Sequence, residues 1–123
     1  MLTYNYMVVG IAEEERADQL FHALADATRR DIVKRSLMGE YSVSGLADFY
    51  PMSFAAVQKH VAILTGAGLV TKRRSGREQL VSADVVSIRR AGALLEQFET
   101  LWRDRIDRFA ALLSDESNQG DEI

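Results

Sequence analysis

Apolar residues recur at steps of three and four along most of the chain, the pattern of helices that bury one face. Ala17, Leu20, Phe21 and Leu24 mark a first helix over residues 13–25. Asp26 is an N-cap residue for a second helix, whose inner side is expected to be Ile32, Val33 and Leu37 and which Gly39 ends. Ser42 caps a short third helix carrying Val43, Leu46 and Phe49, and Pro51 stops it. A fourth helix over residues 53–65 opens at Ser53, with Met52 and Val57 placed to form a hydrophobic staple. Val57, Val61 and Leu64 make its buried stripe, and Gly66 and Gly68 end it. The period then changes. Residues 69–82 read as two strands joined at the turn signal Ser75-Gly76. A lone two-stranded ribbon is marginal, so it is expected to pack on the helices.

Asp84 starts the last element, a long helix to about Leu113 with a stripe through Ile88, Ala91, Leu95, Phe98, Trp102, Ile106, Phe109 and Leu113. At 1.5 Å per residue such a helix is about 45 Å long, more than one small domain needs. An apolar stripe that runs past its own core is covered most simply by a second copy. Leu94, Leu95, Phe98, Leu101, Trp102, Ile106 and Phe109, with Leu20 of the first helix, are therefore expected at a homodimer interface. Residues 1–113 read as one domain, and 114–123 as an acidic, disordered tail. Residues 1–12 carry no motif to which a role attaches.

Composition narrows the classes. With 123 residues and 47% apolar content the chain can build one core. It has no cysteine, which removes disulfides, thiolate metal sites, a cysteine nucleophile and a thiol switch. No run of 18 apolar residues exists, so no membrane span is expected. The opening MLTYNYMVVGIA lacks a basic start and runs into Glu13, Glu14 and Glu15, unlike a signal peptide, so a cytoplasmic protein is expected. The net charge of −3 does not suggest a polyanion ligand, but its distribution does. From Phe49 to Arg77 there is no acidic residue, while Lys59, Lys72, Arg73, Arg74 and Arg77 all fall there. A second basic cluster, Arg29, Arg30, Lys34 and Arg35, lies upstream.

Two short helices joined by a turn, the second capped by serine and followed by a basic hairpin, form a winged helix-turn-helix pattern. The expected fold is mainly α with a small β-hairpin, ending in a long C-terminal dimerisation helix. With Val57, Val61 and Leu64 inward, the fourth helix turns Phe54, Ala55, Gln58, Lys59 and Ala62 outward. Its N-terminus at Ser53 offers amides to a phosphate. Gln58 can read the donor and acceptor on an adenine edge, and Lys59 can neutralise a phosphate. Arg73, Arg74 and Arg77 surround the hairpin tip, with Lys72 behind them, and suit a backbone or a narrow minor groove. His60, beside Lys59, is expected in a structural or phosphate-facing role. The expected DNA-binding set is thus Ser53, Phe54, Ala55, Gln58, Lys59, His60, Lys72, Arg73, Arg74 and Arg77. A dimeric winged helix that acts through a protein partner is the rival reading. Catalysis has no support, since no nucleophile–base arrangement or phosphate loop occurs, and Asp104 and Asp107 sit among Arg103, Arg105 and Arg108 as surface ion pairs would.

The segment from Leu20 to Ile32, with Leu24-Ala25-Asp26-Ala27-Thr28-Arg29-Arg30 at its heart, resembles the opening signature of ArsR-type winged-helix repressors. Ser42 to Ala47, Met52 to Val61 and Leu64 to Val70 continue the resemblance in order, which covers about residues 15–113. It implies a homodimeric, DNA-binding transcriptional regulator, usually a repressor that controls its own operon, on an inverted-repeat operator. Ala27, Gly45 and Gln58 depart from the family pattern, where Pro, an acid and Ser are frequent. Because Gln58 lies on the reading face, relatives do not supply the operator. Many relatives sense metals through cysteine pairs or through histidines of the last helix. Here cysteine is absent and the only histidines are His22 and His60, so no metal and no other cofactor is expected, and no effector is identified.

Overall fold

The computed structural model describes the backbone of residues 2–121 and the side chains of residues 12–116. The elements run α1 (Leu2–Leu24), α2 (Ala27–Met38), β1 (Tyr41–Ser42), α3 (Val43–Ala47), α4 (Phe54–Gly66), β2 (Val70–Ser75), β3 (Glu78–Ala83) and α5 (Val85–Asp121). They fall into two units, Met1–Ala91 and Gly92–Ile123.

The first unit holds the core. Leu46, Val57 and Leu64 are fully buried, and Leu20, Ala23, Ile32, Leu69, Val70, Val81 and Ala91 close around them. The stripe expected for α4 is therefore the one buried. Local chemistry sets the ends of the helices. Ser42 accepts the Gly45 amide at 2.9 Å, and Ser53 accepts the Ala56 amide at 3.1 Å. At the far end of α4, the Leu69 amide donates to the Leu64 carbonyl and the Gly68 amide to that of Thr65, each at 3.0 Å. This paired closure needs the left-handed conformation at Gly68, whose φ is +77°. Gly76, at φ +63°, opens the two-residue hairpin turn for the same reason. Asp84 caps α5, accepting the amides of Val86 and Ser87.

The sheet has three antiparallel strands in the order β1-β3-β2, with Tyr41 opposite Val81 and Val70 opposite Ala83. The third strand, β1, is only two residues long, too short to show a period of two in the sequence. The first helix starts at Leu2, earlier than the expected Glu13. Residues 2–11 enter it with no proline, and their single Gly10 costs only about 1 kcal/mol in a helix interior. The side chains of residues 1–11 lie outside the described residues.

Three expectations need correction. Asp26 stands at the N-cap of α2 with extended backbone, but its side chain caps nothing. Its Oδ2 is buried without a hydrogen bond, and the His60 imidazole is the cation-capable group beside it, at 4.0 Å. Leu37 is 49% exposed, because α2 centres its buried face on Arg29 and Ser36, about 90° round the helix from Leu37. Leu20, expected at a subunit interface, is 5% exposed inside this core and has almost no surface left to offer a partner.

The second unit, Gly92–Ile123, is described by α5 alone. Residues 114–121, expected as an unstructured tail, continue the helix. Ser114 to Gln119 contain no proline or glycine, so the helix meets no strong breaker before Gly120. Residues 122–123 of that tail lie outside the described residues.

A polar clasp ties α2 to the segment after α3. Asp31 Oδ2 accepts the Tyr50 hydroxyl at 2.7 Å and Arg35 Nε at 2.8 Å. The Arg35 guanidinium lies 3.6 Å above the Phe49 ring, which explains a phenylalanine left nearly half exposed. The Tyr50 hydrogen bond, and then that of Arg35, hold Asp31 below the usual carboxylate range. Burial, reinforced by Asp31, pushes the Tyr50 phenol up to about 12. A lowered carboxylate pKa contributes stability above the unfolded value and loses it as pH falls through the folded one. Tyr50→Phe is expected to destabilise by about 0.5–1.5 kcal/mol at neutral pH. The gap from wild type should narrow on acidification through the carboxylate range. Urea unfolding of both proteins at several pH values checks this.

Candidate nucleic-acid interface

The core decides which face of α4 meets solvent. With Val57, Val61 and Leu64 inward, Phe54, Ala55, Gln58, Lys59 and Ala62 are exposed together, as the sequence expects. The Ser53 cap takes one free amide of the first turn, and those of Phe54 and Ala55 keep no acceptor within the helix. They point along the helix axis with the positive end of its dipole, which suits a phosphate oxygen. Phe54 is 47% exposed at the edge of this turn.

His60 does not share that face. At 100° per residue it lies about 60° from Val57, on the inner margin of the helix. Its imidazole is half-buried, with Nδ1 3.3 Å from Arg29 Nη1 and 4.0 Å from Asp26 Oδ2. A phosphate-facing role is therefore replaced by contact with α2. Arg29 and His60 lie on helices that both feed the core, α2 through Ile32 and α4 through Val61, but nothing in the linear pattern pairs them.

The hairpin projects β2 and β3 with every side chain from Thr71 to Gln79 exposed. Lys72 and Arg74 share one face of β2, while Arg73 points to the other. Arg73 is paired: its Nε is 3.0 Å from Glu40 Oε2 and its Nη2 is 2.6 Å from Oε1. This fork-to-fork contact holds Glu40 below the ordinary carboxylate range, through its hydrogen bonds before its charge. Glu40 lies outside the acid-free block and was not among the expected site residues. It neutralises one wing cation and anchors β2 to the turn that follows α2. Lys72, Arg74 and Arg77 make no ion pair among the described residues, so they are the free cations of the hairpin.

Of the residues expected to face a partner copy, Leu94 is half-buried, and Leu95, Phe98, Leu101, Trp102, Ile106 and Phe109 are each 46–65% exposed. Among the described residues no three histidine, cysteine or acidic side chains gather as a metal site, and no helix is long and apolar enough to cross a membrane.

If the hairpin lies on a duplex, Glu40→Gln releases Arg73 to it. Affinity should rise, and the salt dependence of binding should steepen by up to about one charge per subunit. Arg74→Ala should do the reverse. Titrations at several salt concentrations read both.

No family model matches the chain. A curated relative, the HTH-type transcriptional regulator Rv2034 of Mycobacterium tuberculosis, is 33% identical over 101 residues, covering 82% of this chain and 92% of the relative. Among solved structures, a possible transcriptional regulator for arsenical resistance is 38% identical with a TM-score of 0.61, over 76% of this chain and 94% of its own. The ArsR-like transcriptional regulator from Rhodococcus sp. RHA1 is 29% identical with a TM-score of 0.69, over 78% and 91%. The order of elements, the capped α4 beside a basic hairpin, and these likenesses lead to one conclusion: the chain belongs to the ArsR family of winged helix-turn-helix, DNA-binding transcriptional regulators.

Proposed function

We infer that the protein is a homodimeric repressor that binds an inverted-repeat operator, with α4 in the major groove and the β2–β3 hairpin on the backbone or in the minor groove. One observation carries this reading: a serine-capped helix turns Gln58, Lys59 and the small Ala55 and Ala62 outward together, beside three unpaired wing cations. The small alanines let the helix backbone approach base edges closely. Gln58 supplies the amide that reads one of them, and Lys59, Lys72, Arg74 and Arg77 supply the sequence-independent attraction.

The exposed face of α5 supports the dimer. Its apolar residues recur at intervals of eleven: Leu95 and Ile106, Phe98 and Phe109, Leu101 and Leu112, Trp102 and Leu113. An eleven-residue repeat corresponds to about 3.67 residues per turn, slightly more than a straight helix, whereas a heptad underwinds it. A partner helix can follow this stripe nearly straight, without the left-handed wrap of a common coiled coil. All eight of these side chains are about half exposed or more, so they have contact area to give.

Gln58→Ala should cost about 1–3 kcal/mol on the preferred site and relax the preference at one base pair per half-site. Binding selections from a random duplex pool, run with wild type and variant, measure this. An equal loss on every sequence would show that Gln58 reads no base. Trp102→Asp should yield a monomer or an aggregate in sedimentation, against a wild-type dimer at micromolar concentration. A monodisperse wild-type monomer would refute the dimer.

A further inference from the structure

The basic cluster that opens α2 has one member that never reaches the surface. Arg29 is 9% exposed, the only charged side chain in the core of the described residues. A buried guanidinium is costly unless its donors are met. Here Nε donates to the Ala23 carbonyl at 2.7 Å, and Nη2 to the His22 carbonyl at 3.0 Å. Both carbonyls belong to the last turn of α1, whose open end carries partial negative charge. The third contact leaves that helix: Nη1 stands 3.3 Å from His60 Nδ1 on α4. An arginine has no acceptor, so a hydrogen bond at this contact requires Nδ1 to accept, which the tautomer with its proton on Nε2 allows. Asp26 Oδ2 waits 4.0 Å from the same nitrogen, buried and without a hydrogen bond.

We propose that Arg29 and His60 are positioning residues that fix the rotation of α4 about its own axis and so set which side chains it presents to DNA. The proposal rests on the reading of α4 as the DNA-reading helix. Apolar contacts along Val57, Val61 and Leu64 hold α4 in place but are non-directional, and a small roll costs them little. His60 sits at the margin of that stripe, where a roll moves it most against its neighbour. A directional hydrogen bond there, to a guanidinium already held by two carbonyls, resists the roll. Two residues earlier and about 160° round the helix, on the outer face, Gln58 must meet a base edge within the narrow tolerance of a hydrogen bond.

The same arrangement is sensitive to the imidazole proton. Two charged groups face His60 from the start of α2, Arg29 and Asp26, while Lys59, its neighbour on α4, is exposed. Protonation at Nδ1 removes the acceptor that Arg29 uses and sets two cations side by side. The imidazolium then turns toward Asp26 Oδ2, 4.0 Å from the same nitrogen. Arg29 keeps both carbonyls of α1, so the core survives while the setting of α4 changes.

Two measurements test this. The first needs no DNA. Nitrogen-detected imidazole spectra of the wild-type protein, with the exposed His22 identified through His22→Gln, report the tautomer of His60. An unprotonated Nδ1 at pH 7.5 is expected, and a proton on Nδ1 would overturn the proposal. The second compares a duplex that wild type enriches from a random pool with its shuffled counterpart, at neutral and at acidic pH. His60→Leu should lower discrimination between the two about tenfold, the scale of one hydrogen bond to a charged group. His60→Gln, whose amide oxygen accepts from Arg29 at any pH, should restore it. Discrimination by wild type should fall on acidification and that of His60→Gln should not. If His60→Leu weakens both duplexes equally, or if acid strengthens both in a His60-dependent way, the side chain supports folding or touches phosphate, and the positioning role fails. If wild type prefers no duplex, the operator reading fails, and the spectra alone decide whether Arg29 and His60 are joined.

Discussion

The face of α4 that looks outward is fixed by what α4 must bury. The first unit is small, and its core admits three side chains from this helix, Val57, Val61 and Leu64, all at 1% exposure or less. At 3.6 residues per turn, that choice puts Ala55, Gln58, Lys59 and Ala62 on the opposite side, to within the small roll that apolar contacts permit. The Ser53 cap and the paired closure at Gly68 then set where the helix starts and stops. The closure matters beyond α4, because the Leu69 amide that completes it begins the path into β2. The Asp84 amide bonds back to the Leu69 carbonyl at 2.9 Å, so one residue joins the end of α4, the hairpin and the start of α5. The hairpin is thereby held beside the helix it serves.

Electrostatics refines what packing allows. The block from Phe49 to Arg77 is free of acid in sequence, yet Glu40 reaches into it and takes Arg73. This pair is exposed, so its worth to stability is small. Its effect lies in geometry and charge: the outer half of β2 is tied to the turn after α2, and Lys72, Arg74 and Arg77 are left as the free cations of the hairpin. Arg29 shows the opposite case. It belongs by sequence to a basic cluster that reads as a solvated face, but it is buried, and its charge is spent on the end of α1 and on His60.

Most of the fold was legible because its signals are local. Ser42 and Ser53 cap the helices they were expected to cap, Asp84 stands at the start expected for α5, and the apolar steps of α4 match its buried face. What escaped depends on residues far apart in the chain. The two-residue β1 exists only through its pairing with Val81 and Leu80, which lie about forty residues on. Asp26 has the right type and place for a cap, but it turns toward His60 on another helix. Leu37 fits the helical step from Val33, yet the buried face of α2 is centred on a serine and an arginine that no hydropathy pattern would choose. Leu20 is an apolar residue on an amphipathic helix, which the pattern alone does not assign to an interface or a core, and the core of its own unit covers it. Continuation of α5 past Leu113 was missed because polar composition signals solvent exposure, and an exposed helix is polar too.

The two units bury different amounts of what they carry, and this difference separates their roles. Among the described residues of Met1–Ala91 most large apolar side chains are inside, and the surface features left over include Gln58 and Lys59 on the outer side of α4 and the basic hairpin. Such a surface suits a hydrated polyanion, which is bound through charge, hydrogen bonds and close backbone approach. In Gly92–Ile123 the exposed side chains of α5 include Phe98, Leu101, Trp102, Phe109 and Leu112, each more than half exposed. A row of leucines and aromatics on one helix gains little from phosphate and much from another apolar surface. The chain has thus sorted its residues by the solvent each must leave. Cations and amides sit where a polyanion could release water and counterions, and rings and branched chains where an apolar partner could release water. That sorting is the physical ground for assigning DNA contact to α4 and the hairpin and self-association to α5.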